Sequence, residues 1–326
     1  MPSYARKNLI LENEVSTYLV TTRCVRKFYL CGKDEASGRD YDHRKEWMVS
    51  RIKYVVENCF FVDLLCFAIM SNHYHMVVRI RPDLAPNATD EEIIGRWWKL
   101  YPRRIKGRYF EEPPTELKMA WLADKNGMEK KRKRLASLSL FMSSINQNIS
   151  RKANVEDDLK GHFWESRYHS SILLDDQAVL NACTYVDLNP VRAGAAKDIY
   201  DSVYTSLKLR VDKFRNSGEF LPSEMGNFVF CLNSSEPGKI GPIIGLEHYI
   251  ELCAWKSLEH LDQNFNERKA AYFELLGKLS CREEDFDWDK IRQNRIAVGS
   301  NEKIKEFAKK RNVDLPYQKK AWSKAA

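Results

Sequence analysis

The stretch Phe60-Phe61-Val62-Asp63-Leu64-Leu65-Cys66-Phe67-Ala68-Ile69-Met70-Ser71-Asn72-His73-Tyr74-His75-Met76-Val77-Val78 decides how the rest of the chain is read. Two apolar runs flank a Ser-Asn pair, the pattern of two β-strands joined by a tight turn. Residues two apart on a strand point to one side, so His73 and His75 project from the same face. Imidazoles held that way can grip a divalent metal and leave positions open for a phosphate. The alternative is a pair of half-exposed histidines on an amphipathic strand, and the spacing does not choose between the two.

Working outward, Ser16 to Val25 is rich in β-branched residues and predicts the first strand. Between Tyr41 and Cys59, the recurrence of Met48, Ile52, Val55 and Cys59 predicts a helix. Leu138, Met142, Ile145 and Ile149 give a second helix its apolar stripe, and Tyr168 to Leu174 supplies a fourth strand. About a hundred residues after the histidines comes Asp175-Asp176-Gln177-Ala178-Val179-Leu180-Asn181-Ala182-Cys183-Thr184-Tyr185-Val186-Asp187-Leu188-Asn189-Pro190-Val191-Arg192-Ala193-Gly194. Asp175 or Asp176 can cap a helix there, and Pro190 disfavours helical geometry at Asn189. Tyr185 and Asn189 lie four apart, as neighbours on one helical face. They could complete a site over the sheet, Asn189 as a third, oxygen ligand and Tyr185 as a nucleophile. The order β-α-β-β-α-β-α is that of an α+β protein: a ferredoxin-like or RRM-like antiparallel sheet with helices on one side. That fold serves many functions.

Met70-Ser71-Asn72-His73-Tyr74-His75, then Gly161-His162-Phe163-Trp164-Glu165-Ser166-Arg167-Tyr168, then Tyr185 to Gly194 resemble, in this order, the single-tyrosine HUH transposases, particularly the REP-associated tyrosine transposase branch. The resemblance covers residues near 10 to 208. It implies an HUH nuclease fold, Mg2+ or Mn2+ on His73, His75 and Asn189, and Tyr185 as the nucleophile. It further implies hairpin-containing single-stranded DNA as substrate, cut through a 5′-phosphotyrosine and rejoined. Tyr168 and Tyr74 compete for the nucleophile role, but Tyr74 should point to the opposite face from the histidines. Trp164 is expected in the core, Glu165 in a structural role, and Arg192 at a phosphate or at the helix end.

The chain has 326 residues, 44% hydrophobic and 30% charged, with a formal charge of +8. This fits a large catalytic domain with an appendage, and the charge favours an acidic partner such as nucleic acid. The start of the chain lacks a signal-peptide core, and its most apolar stretch is too short to span a bilayer. A soluble cytoplasmic, nucleoid-associated protein is expected, either monomeric or a homodimer with shared sites. Eight cysteines lie scattered. The spacing of seven in Cys24/Cys31 and Cys59/Cys66 does not match zinc-site spacings, which leaves reduced, buried thiols as the expectation.

Candidate DNA contacts come from the cations. Arg23, Arg26 and Lys27 lie near the end of the first strand. From Ile93 to Phe110, Arg96, Lys99, Arg103, Arg104, Lys106 and Arg108 alternate with Trp97, Trp98, Tyr101, Tyr109 and Phe110 without an acid. Such a mixture suits a flexible single strand, or else a helix that buries its tryptophans and wets its basic face. Lys130-Lys131-Arg132-Lys133-Arg134, ahead of the second helix, reads as a surface loop or as a backbone clamp beside the site. Ser143, Asn146, Gln147 and Asn148 on that helix, with Arg167 and Arg192, complete the candidates.

Two regions are expected: 1–210, with a basic aromatic insertion at about 81–136, and a mainly helical 211–326 of DNA-binding or assembly role. Asn216-Ser217-Gly218, Leu221-Pro222-Ser223 and Ser234-Ser235-Glu236-Pro237-Gly238 read as loops. Helices are expected at 246–261, 266–279 and 300–311, with Ser300 as a cap. Val298-Gly299-Ser300 suggests the turn of a helix-turn-helix. Against the transposase reading stand a non-catalytic nucleic-acid-binding regulator on an RRM-like sheet and another HUH endonuclease. A regulator has no need for His73, His75, Tyr185 and Asn189 together. Initiators usually carry a lysine a few residues from the tyrosine and relaxases an N-terminal tyrosine, neither of which is present.

Overall fold

A computed structural model describes residues 10–25, 31–34, 38–105, 107–217, 246–261, 265–278, 283–286, 288, 291 and 296–312. Its centre is the expected hairpin, β2 (Val62–Ile69) and β3 (His73–Ile80). The two-residue Ser71-Asn72 connection is closed by the Met70 N–H donating to the His73 carbonyl at 2.9 Å. With β1 (Ser16–Arg23) and the strand at His169–Leu173, they form an antiparallel sheet. β1 lies between β3 and His169–Leu173, so first and second strands are separated by the third.

Every residue of β2 is buried, because the sheet is covered on both faces. This corrects the expectation of helices on one side only. Alternation divides the strands: Tyr18, Val20, Tyr74, Met76 and Val78 enter one core, while Leu19 and Val77 enter the other. In β2 the register shifts between Leu64 and Cys66, a bulge that turns both Leu65 and Cys66 into the second core. Asp63, the one charge in this stretch, is buried with Arg81 at 3.2 Å and Arg79 at 3.8 Å.

The first core lies under α1 (His43–Asn58) and a long helix at Leu138–Glu156, whose stripe Leu138, Met142, Ile145 and Ile149 is buried as the spacing predicts. Between β3 and that helix runs the insertion: α2 (Asp90–Leu100), a hairpin of β4 (Arg104–Ile105) and β5 (Arg108–Tyr109), α3 (Thr115–Ala123) and α4 (Lys125–Leu135). The Leu138–Glu156 helix is then α5 and the His169–Leu173 strand β6. Lys130 to Arg134 is not a loop but part of α4, with Met128 and Leu135 inward. Their seven-residue separation keeps them on one helical face.

The second core lies under α6 (Asp176–Asp187), followed by the short α7 (Asn189–Arg192) and by α8 (Ser206–Ser217), α9 (Leu246–Leu261) and α10 (Phe265–Lys278). Asn216 and Ser217 are thus helical rather than loop; Gly218, 221–223 and 234–238 lie outside the described residues. Val298 is not in a helix-turn-helix. Ala297–Val298 forms β7, parallel to β6 as a fifth strand, and Ser300 caps α11 (Asn301–Arg311) by accepting from the Lys303 N–H. The C-terminal elements therefore complete the same sheet, with α9, α10 and Val298 in the second core and Ala297 and Phe307 in the first. Cys24, Cys31, Cys59 and Cys66 are free and buried, and burial pushes the Cys59 thiol up to about 11.

Candidate tyrosine and histidine site

β3 sends His73 and His75 toward the second core, the side of Val77. On β1, Thr21 stands opposite His75 and Arg23 opposite His73. The Thr21 hydroxyl lies 2.8 Å from His75 Nδ1, and Asn72 Oδ1 lies 2.6 Å from His73 Nδ1. With each Nδ1 engaged, Nε2 is the nitrogen left to each ring for a further partner. The two rings meet edge to face, 4.9 Å between centroids.

α6 brings the tyrosine across this face. Asp175, rather than Asp176, is its cap and accepts from the Ala178 N–H at 2.8 Å. The helix ends at Asp187, Leu188 (φ −91°, ψ 0°) makes the break, and Asn189–Arg192 begins a new turn with Pro190 at its start. Pro190 therefore opens a helical turn instead of only closing one, its missing N–H being an unpaired position there. Gly194, at φ +68°, supplies the left-handed residue that ends it.

These geometries bring four predicted residues together. The Tyr185 ring stands edge-on to His75, with centroids 5.7 Å apart, and the Asn189 side chain lies beside His73, where it favours the protonated ring. Tyr185 is 9% exposed. Burial, then the nearby Arg23, depress His73 to about 4; burial, then His73, Arg23 and Arg192, depress His75 to about 3. Both imidazoles are therefore neutral at pH 7, as a metal ligand must be. Among the described residues no group of three His, Cys, Asp or Glu could hold a metal, so a metal here would rest on two imidazoles and the Asn189 amide.

The competing tyrosines lie in the other core. Tyr74 is fully buried and donates to Asn146 Oδ1 at 2.5 Å; Tyr168 is buried, 3.2 Å from the Ser139 hydroxyl. Trp164 packs against that core and donates to the Asn146 carbonyl, while Glu165 is fixed by its backbone N–H to Arg23 O.

Of the candidate cations, Arg23 and Arg192 are at the site. Arg192 lies 4.9 Å over the Tyr185 ring and 4.6 Å from the ring of Trp288, whose Nε1–H reaches the Thr184 hydroxyl at 3.4 Å. Arg167 is exposed on the segment before β6. The others sit on the opposite layer. Arg96 pairs with Glu92 at 2.8 Å and covers Phe61, Lys99 approaches Asn58, and Arg103 and Arg104 are exposed. In α4, Arg132 binds Asp90 and two carbonyls, Lys133 pairs with Glu129, Lys131 and Arg134 cover Trp121 and Trp97, and Lys130 is exposed. That run is not beside the tyrosine. Arg26, Lys27 and Lys106 lie outside the described residues.

Sequence reading missed Thr21, Trp288 and Asp187. Strand register could have found Thr21. Asp187, wholly buried, accepts from the Ser206 hydroxyl (2.5 Å), the Leu207 N–H (3.1 Å), the Tyr249 hydroxyl (2.7 Å) and Arg210 (3.3 Å). It ties the tyrosine helix to α8 and α9, while Ser206 Oγ also accepts from the Phe67 N–H at the bulged strand.

A pair of neutral imidazoles from a mid-sheet strand, set against a tyrosine and an amide from a broken helix, is the arrangement these elements define. No family model and no curated protein matches the chain. A solved structure described as "Structure of the REP associates tyrosine transposase bound to a REP hairpin" is similar at 10% identity over 68% of this chain and 89% of that one, with a TM-score of 0.37. The likeness is distant. No described helix is long and apolar enough to cross a membrane.

Proposed function

We propose that the protein cleaves and rejoins single-stranded DNA through Tyr185, on a ferredoxin-like sheet whose strand order places the third strand between first and second. The observation that carries this reading is the contact of His75 with Tyr185 while Asn189 engages His73, across 110 residues of sequence (185 minus 75). The Tyr185 phenol gives up its proton as its oxygen bonds to phosphorus. The bond from phosphorus to the 3′-oxygen breaks and that oxygen takes up a proton, leaving a 5′-phosphotyrosine and a free 3′-hydroxyl. Attack by a 3′-hydroxyl on that phosphotyrosine restores the phenol and joins strands without external energy.

His73, His75 and Asn189 are the residues that would hold Mg2+ or Mn2+; the low pKa values keep both imidazole lone pairs available for it. When bound, such an ion polarises the scissile phosphate and offsets its developing charge. Two nitrogens among the ligands favour Mn2+ as the first ion to test, since Mg2+ prefers an all-oxygen shell. Arg192, 4.9 Å over the Tyr185 ring, puts a positive charge beside the residue that would carry the phosphate. Hairpin DNA is the expected substrate.

The test incubates the chain with Mn2+ and labelled single-stranded hairpins, then separates protein under denaturing conditions. A labelled adduct is expected with the wild type and none with Tyr185→Phe, which should still bind the DNA. An adduct that persists in Tyr185→Phe moves the nucleophile elsewhere; no adduct with any hairpin leaves a binding protein.

A further inference from the structure

The insertion settles which aromatic residues pack and which do not. Trp98 is 1% exposed, with its Nε1–H on the Phe110 carbonyl at 2.9 Å, and Trp97 lies between Arg134 and Tyr101. The smaller rings stay outside: Tyr101 is 39%, Phe110 43% and Tyr109 64% exposed. The last two end a hairpin whose Arg104 crosses to Tyr109 and stacks 4.6 Å from its ring. Arg103 and Arg108 are exposed beside them, and Glu111 and Glu112 are the exposed acids that follow.

Arg104 covers part of the Tyr109 ring, yet Tyr109 and Phe110 stay 64% and 43% exposed, and apolar ring surface left in water is costly. The flanking guanidinium groups choose the cover: a partner with negative charge at short intervals and flat apolar groups between. We infer that the β4–β5 hairpin is a stacking platform for single-stranded nucleic acid, with bases on Tyr109 and Phe110 and phosphates on Arg103, Arg104 and Arg108. A duplex hides the faces its bases would present, so the platform discriminates against it.

This surface is separate from the tyrosine site. α2, which carries the hairpin, is pinned at the start of β2 by Arg96 on the Phe61 ring and on the Phe60 carbonyl. Val62 pairs with Ile80, seven residues along β3 from His73, or about 23 Å at strand spacing. The platform also belongs to the layer of the first core, while Tyr185 belongs to the second. It holds a strand at a distance from the atoms that react.

The experiment measures anisotropy of a labelled oligothymidylate of about 12 nucleotides in EDTA, so that no divalent ion contributes. The full chain is compared with Tyr109→Ala/Phe110→Ala and with Arg103→Gln/Arg104→Gln/Arg108→Gln. The aromatic variant should bind about 5-fold to 100-fold more weakly. In the arginine variant the slope of log K against log salt should flatten by about 2, three phosphates at about 0.7 each. A duplex control serves as the reference and should bind more weakly. Wild-type affinity in the aromatic variant, or no single-strand binding by the wild type at low salt, overturns the inference. So does a change confined to molecular mass in light scattering, which marks a protein–protein face. Because adduct formation is read separately, failure of this platform and failure of Tyr185 as nucleophile remain distinguishable.

Discussion

Acid should weaken this fold through its two site histidines by a calculable amount. An exposed imidazole titrates near ~6.5, whereas burial and neighbouring cations depress His73 to about 4 and His75 to about 3. Between those limits the unfolded chain binds protons that the folded chain refuses, so stability falls as pH drops through the unfolded value. It levels out only below the folded values. At pH 5 both folded rings are still neutral, and each loses about 2 kcal/mol of stability relative to pH 7. The pair together loses at most about 4 kcal/mol, a large share of the roughly 5–15 kcal/mol that holds a domain. The assay is urea unfolding at pH 7 and pH 5 in EDTA, comparing wild type with His73→Gln/His75→Gln. Other groups titrate alike in both proteins, so the difference of differences isolates the imidazoles. The wild-type midpoint should fall further than the variant's by about 1–3 M. An equal fall in both proteins refutes the claim that these rings are held neutral, and with it their readiness as ligands.

Three other outcomes follow from the same geometry. Asp187→Asn should cost about 3–5 kcal/mol in urea unfolding by leaving Arg210 charged and buried, with part recovered in Asp187→Asn/Arg210→Met. Thr21→Val removes the partner of His75 Nδ1 and should weaken Mn2+ binding by about 10-fold to 100-fold in calorimetry, with little change in unfolding. Arg192→Met should slow adduct formation by about 100-fold in single-turnover kinetics while leaving DNA affinity within a few-fold; unchanged kinetics would remove Arg192 from the chemistry.

Local pattern made much of this legible. The hairpin, the stripe of α5, a cap at Asp175 or Asp176 and the spacing of Tyr185 to Asn189 all depend on neighbours within a few residues. What escaped depends on distance along the chain. The unbroken apolar run of β2 already marks a strand buried on two sides, as covered strands show, yet its second cover comes from α6 and from helices beyond residue 245. Asp187 looked like one more helix carboxylate because Ser206, Arg210 and Tyr249 follow it by 19, 23 and 62 residues. Trp288 reaches Arg192 from 96 residues away (288 minus 192). The basic run in α4 misled for another reason: charge was conspicuous, and the Met128 and Leu135 that orient the helix were not.

The parallel pairing of β7 with β6 sets a timetable for synthesis. Leu173 meets Val298 only after 125 further residues have been added (298 minus 173), about 6–25 s at ~5–20 residues per second. Throughout that interval the nascent chain carries an open strand border next to the helix that bears Tyr185, and Asp175 lacks the Ser300 N–H that it later receives at 2.6 Å. The N-terminal end of the helix that bears Tyr185 is thus among the last parts to be finished, and chaperones that shield bare strand borders have their longest opportunity there.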